Sequence, residues 1–203
     1  MKTGLSRREF AGLLGLGSVW PFAASLGAGA GVGEMQKNFH IRTITAGVNI
    51  QSAGNLDPAK EAVAFLHQAR SRFEAEGYEV QTIRLATQPL AQYLPDWPTM
   101  SSLEAIKALD QFAVDNKVGC SIGPVITDDQ YHPEFAAWAA ELAQQTSVSF
   151  SCQVASAAGG VHVKALRSAA EAVHAISRAS PGGEGNFNFA AAGFIPPGTP
   201  FFP

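Results

Sequence analysis

Charge is scarce in this chain of 203 residues. Only 15% of its positions are Asp, Glu, Lys or Arg, against a hydrophobic share of 46%. That balance is the reverse of an intrinsically disordered segment, and it leaves too little Glu, Lys and Arg for a long coiled coil. A basic surplus is also missing: 14 Lys and Arg stand against 17 Asp and Glu, a net charge of −3. Such a chain has no field to hold a polyphosphate backbone, so nucleic acid is not expected as a partner. Cysteine is limited to 2 residues, which excludes a disulfide-stapled mini-protein. Internal repeats are lacking. So are His-x-Glu and Cys-x-x-Cys spacings, and a zinc site is not expected. The length fits one ordinary domain or slightly more.

What is present begins with an address. Ser6-Arg7-Arg8-Glu9-Phe10 matches a twin-arginine export signal, and no charge follows from Phe10 to Gly33. The uncharged run is long enough to span a bilayer. Its glycines (Gly12, Gly15, Gly17, Gly27, Gly29, Gly31) and Pro21 argue for a cleaved signal instead. Ala28-Gly29-Ala30 is a small-x-small cleavage site. The expected organisation is a signal over 1–30, a linker over 31–38 and an α/β domain over 39–203. The expected location is the periplasm or another exported compartment, reached with the twin-arginine translocase as a transient partner. That route carries folded proteins, so a cofactor becomes more plausible but stays unidentified.

The remainder alternates strand and helix. Strands are predicted over His40–Ile50, Tyr78–Thr87, Lys117–Thr127, Ser147–Ala155 and Asn186–Phe194. A first helix starts at Asp57 and Pro58, stops before Gly77, and carries the stripe Ala62, Leu66, Ala69 and Phe73. A second opens on a capping box of Ser101 and Glu104, with Leu103, Ile106, Leu109 and Phe112 inward. The third runs from Pro133 to Gln145 and the fourth from Val163 to Ala179. Such alternation implies β-α units with largely parallel pairing.

The strands are finished on one face only. Val148, Phe150, Cys152 and Val154 oppose Ser147, Ser149, Ser151 and Gln153. Val118, Cys120 and Ile122 oppose Gly119, Ser121 and Gly123. Phe187 and Phe189 oppose Asn186 and Asn188. A parallel sheet covered on both faces would have near-continuous apolar strands. Helices are therefore expected on one face, and small polar side chains on the other. That polar face is either solvated or the lining of a ligand-holding interior.

Two loops hold candidate chemistry. Gly159-Gly160-Val161-His162-Val163-Lys164 precedes a helix. Its glycines would let backbone amides approach an anion, with His162 and Lys164 adding positive charge. A plain Gly-rich loop is the competing reading. Asp128, Asp129 and His132 follow the third strand, where parallel sheets gather ligands; they could transfer protons or hold a divalent ion. The alternative makes them turn and cap residues. Arg84 could project a guanidinium into the polar interior beside Ser149 and Ser151, or form a surface ion pair. Cys120 and Cys152 share apolar parity, so two separate buried thiols are preferred over a disulfide.

Several segments together resemble the uncharacterised family called domain of unknown function 711. They are Ile41-Arg42-Thr43-Ile44-Thr45-Ala46-Gly47-Val48-Asn49-Ile50, Phe73 through Arg84, Gly159-Gly160-Val161-His162-Val163-Lys164-Ala165, and Gly185-Asn186-Phe187-Asn188-Phe189-Ala190 running into Pro196-Pro197-Gly198-Thr199-Pro200-Phe201-Phe202-Pro203. Their order and spacing carry the likeness, over about 39–203. The resemblance implies a pyruvate formate-lyase-like barrel of ten strands, of which this chain would supply half. Family members are about twice as long, so truncation at the C-terminus or a homo-oligomeric second half is expected. Glycyl-radical chemistry does not carry over: no Arg-Val-x-Gly stretch is found, and Cys152 has apolar parity. Three functions remain: a binder of a small anionic molecule; an enzyme working at Asp128, Asp129 and His132; and a half-barrel that needs a partner.

Overall fold

A computed structural model describes residues 39–52 and 54–196. The signal and the linker lie outside the described residues. The domain opens with β1 (Ile41–Val48), α1 (Asp57–Ala75) and β2 (Val80–Thr87). Next come α2 (Met100–Asp115), β3 (Gly119–Ser121), α3 (Phe135–Gln145) and β4 (Phe150–Ser156). It closes with β5 (Gly160–Val161), α4 (Val163–Ala179) and β6 (Phe189–Gly193).

The strands pair in chain order. β2 lies between β1 and β3, parallel to both. β4 lies between the short antiparallel β5 and the parallel β6. Parallel bridges at Ser121–Ser149 and Ile126–Cys152 join the two ladders. Four backbone bonds of 2.8–2.9 Å stitch this seam, from Ser149 N to Cys120 O, Ile122 N to Ser149 O, Val125 N to Ser151 O and Gln153 N to Ile126 O. The result is one mixed α/β layer in which β1, β2, β3, β4 and β6 follow one another. With right-handed crossovers, strands that advance in one direction place their helices on one face.

The core gathers strand residues of one parity. Ile83 and Leu85 of β2, Cys120 and Ile122 at β3, and Phe150 and Cys152 of β4 join one cluster. To it the helices add Leu66 (α1), Leu103, Ile106 and Leu109 (α2), Trp138 and Leu142 (α3), and Ala169 and Ile176 (α4). Alanines on α4 let it lie close against α3. The opposite face repeats small polar residues. Thr43 and Thr82 face each other across β1 and β2 with hydroxyls 2.7 Å apart. Thr45, Arg84 and Gly119 share the next row, and Gly47, Ala86 and Ser121 the one after.

Four local expectations are corrected. α2 is capped by Thr99, with Ser102 returning the bond to the Thr99 amide; Ser101 and Glu104 do not form the box. Leu56, not Asp57, is the residue preceding α1, and it makes no side-chain cap. The buried stripe of α1 is Ala59, Val63 and Leu66, and Phe73 is exposed. The last strand starts at Phe189, because Pro181–Asn188 forms 3-10 turns with Gly182 and Gly183 at φ of 62° and 78°. Phe187 is consequently 77% exposed, whereas Phe189 is buried.

Candidate functional site

The loops after the parallel strands meet along one edge of the sheet. Gln88, just past β2, accepts the Ile50 amide at 3.0 Å and donates its side-chain amide to the Ile50 carbonyl. Thr87 Oγ1 accepts the Gly123 amide at 3.1 Å and lies 3.0 Å from the Tyr93 hydroxyl. Burial raises the Tyr93 phenol well above its ordinary range. Gly123 crosses so near that a Cβ there would stand 2.2 Å from the Gln88 carbonyl oxygen. The ends of β1, β2 and β3 are thus tied into one rigid rim.

The polar face lies below that rim. Arg84 is half-buried, and its guanidinium pKa is lowered by burial first and by the neighbouring Arg42 charge second. Ser151 is 1% exposed, and its hydroxyl has no hydrogen-bond partner among the described residues. Gln153 donates to the Ile195 carbonyl at 2.7 Å, where the chain leaving β6 crosses β4. A buried hydroxyl left unpaired loses its solvation without compensation, at about 1–3 kcal/mol. Such a group is held by the surrounding packing, and a ligand polar atom would relieve it.

The two candidate loops come together, though not as an anion cradle. Asp129 Oδ1 accepts the backbone amides of Lys164 at 2.7 Å and Ala165 at 3.2 Å. A carboxylate of the protein therefore already occupies the N-terminus of α4. Asp128 accepts from the Gln130 side chain at 3.0 Å. The His132 ring packs on Trp97 with centroids 5.0 Å apart, and its amide donates to Ser168 Oγ at 3.1 Å. Tyr131 donates to Glu171 at 2.9 Å beneath the Arg167 guanidinium. Among the described residues no group of three His, Cys, Asp or Glu side chains could hold a metal ion.

Gly159 and Gly160 close the turn between β4 and β5, with Gly160 at φ +65°. His162 is 6% exposed, and its Nε2 lies 2.9 Å from Ser156 Oγ. Ser156 was not among the expected residues. Its signal is the spacing Ser156-x-x-Gly159-x-x-His162, which brings a hydroxyl, an amide and an imidazole to one point. Cys120 and Cys152 are free and buried. Burial pushes the Cys120 thiol up to about 12 and raises Cys152 further. Neither is a ready nucleophile.

The family model for uncharacterised proteins of the DUF711 group matches residues 34–203. The chain belongs to this family. No curated protein matches it. This DUF711 member therefore keeps the small polar residues and the β4–β5 glycine turn inside the family region, and the twin arginine outside it. Among its described residues, no helix is long and apolar enough to cross a membrane.

Proposed function

We propose that this DUF711 member is exported by the twin-arginine route and binds a small anionic molecule on the polar strand face. One observation carries the binding reading: Ser151 presents a buried hydroxyl, unpartnered among the described residues, on the face that also bears Arg84 and Ser149. A carboxylate or phosphate oxygen would accept from hydroxyls and from a guanidinium together. Burial and the neighbouring Arg42 charge lower the Arg84 pKa, and a bound anion would act in the opposite direction. The glycine turn and Lys164 rim the same edge, with the side chain of Lys164 as a further cation.

Thermal-shift measurement against carboxylates, phosphates and amino acids tests the reading. A hit should stabilise the wild type, and the gain should shrink in Ser151→Ala and Arg84→Gln. No stabilisation by any of these classes would dismiss it. For export, Arg7→Lys with Arg8→Lys should retain the precursor in the cytoplasm; undiminished export of the double variant would overturn the route.

A partner-dependent half-barrel is the second reading, favoured by the edge at β6. There Phe187 and Phe194 are 77% and 67% exposed, and Val163, Leu166 and Val173 of α4 are exposed nearby in sequence. Light scattering decides it, because a stable monomer over residues 31–203 would rule it out. Acid–base or metal chemistry at Asp128, Asp129 and His132 has less support, since Asp129 serves the α4 amides.

A further inference from the structure

We propose that Ser156 and His162 form a nucleophilic dyad that accepts an acyl or phosphonyl group from a small activated ester. The two side chains are six residues apart and meet at 2.9 Å. The Gly159 amide donates to Ser156 Oγ at 3.0 Å and so takes one of its lone pairs. In the tautomer protonated at Nδ1 the hydroxyl proton points at Nε2, which is the direction a general base requires.

The pair is held in place from both sides. The His162 amide donates to the Val154 carbonyl at 2.9 Å, and its carbonyl accepts the Leu166 amide at 2.8 Å. The imidazole backbone is thus fixed between a strand ladder and the first turn of α4. Ser156 is the last residue of β4, at the strand end where parallel sheets place reacting groups. A Cβ at position 159 would crowd both groups, at 3.0 Å from His162 Nε2 and 3.2 Å from Ser156 Oγ. His162 is buried, whereas Ser156 is half-buried.

The step balances without a further reactant. Oγ attacks the carbonyl carbon, its proton passes to Nε2, and the ester C–O bond breaks as Nε2 returns the proton to the leaving alkoxide. Water then releases the acyl group by the reverse relay. Among the described residues the buried His162 Nδ1 has no hydrogen-bond partner, and no carboxylate of theirs orients the imidazole. Loss of that third member slows a serine triad by about 10⁴-fold, and the dyad is accordingly expected to be slow.

A fluorophosphonate probe tests this on the folded full chain. Attack by Oγ forms the O–P bond, expels fluoride and sends the proton to His162. Mass spectrometry of the digest should place one adduct on Ser156. Ser156→Ala should abolish it, and His162→Gln should slow it at least about 100-fold. Gly159→Ala should slow it too, with the circular dichroism spectrum unchanged. No adduct on the folded wild type, an adduct on another residue, or equal rates in His162→Gln would each overturn the dyad. The wild-type mapping stands even where a variant fails to fold.

Discussion

Replacing Asp129 with Ala removes the carboxylate that closes the N-terminus of α4. Two backbone amides, those of Lys164 and Ala165, lose their acceptor at once. A helix cap of one neutral bond is worth about 1 kcal/mol, and a charge at this end of a helix adds roughly 0.3–1 kcal/mol when exposed. Asp129 is exposed, so water takes over part of the lost bonding and salt screens the charge. The expected loss is about 1–2 kcal/mol, or a fall in Tm of roughly 3–6 °C for a domain of this size. Asp129→Asn keeps an acceptor oxygen and should recover about half of it. Urea titration followed by far-ultraviolet circular dichroism reads both variants. The contact joins residues 35 positions apart, so the variant also loosens the loop after β3 from α4. Proteolysis within 128–132 should accelerate in parallel. A change below about 0.5 kcal/mol in Asp129→Ala would refute the cap and return this carboxylate to the list of groups free for chemistry.

Ser102→Ala should cost about 1–3 kcal/mol, because Ser102 Oγ accepts from the buried Trp138 Nε1 at 3.0 Å and nothing replaces it; tryptophan fluorescence should shift with the unfolding midpoint. Gly123→Ala should lower stability by about 3 kcal/mol or more, or block soluble expression, since its Cβ would meet the Gln88 backbone at 2.2 Å; a soluble variant of normal Tm would contradict the close crossing. Iodoacetamide should leave Cys120 and Cys152 unmodified in the folded protein and alkylate both after denaturation. The same thiols set a pH dependence. Unfolded Cys120 ionises from about pH 9, and the folded thiol holds its proton to about 12, so this stability is complete below 9 and falls as pH rises through that window. Denaturation at pH 8, 9 and 10 should show the decline, and a flat profile would argue against burial of the thiol.

Elements with a strong single period were legible from sequence. α4 runs over the predicted Val163–Ala179, since its alanines recur every three or four positions against a polar opposite side. The alternation was legible in part: the apolar positions of β2, β3 and β4 join the core, but Ser121, Ser151 and Gln153 on the other face are buried as well. Misreadings arose where two local signals compete. Ser101 and Glu104 satisfy the capping pattern, yet Ser102 is drawn inward by Trp138, which moves the cap to Thr99. Phe187 and Phe189 share a parity, but left-handed Gly182 and Gly183 turn the chain before the ladder begins. The site was legible only in part. Gly159, His162 and Asp129 stand out as residue types, whereas the bonds from Asp129 to α4 join positions that only the fold brings together. Ser156 is a serine among many until β5 folds His162 back onto it.

Chain order and spatial order coincide in this sheet. Residues paired across successive seams lie 39, 35, 28 and 39 positions apart, as at Ile41–Val80, Arg84–Gly119, Ser121–Ser149 and Phe150–Phe189. Each strand therefore finds its neighbour in the unit that left the ribosome just before it. Loop-closure entropy is similar at every step and no strand has to wait for a distant partner. The domain can assemble by accretion during synthesis, one helix and one strand at a time. A stalled nascent chain ending soon after α2 should already protect the amides between β1 and β2 from hydrogen exchange.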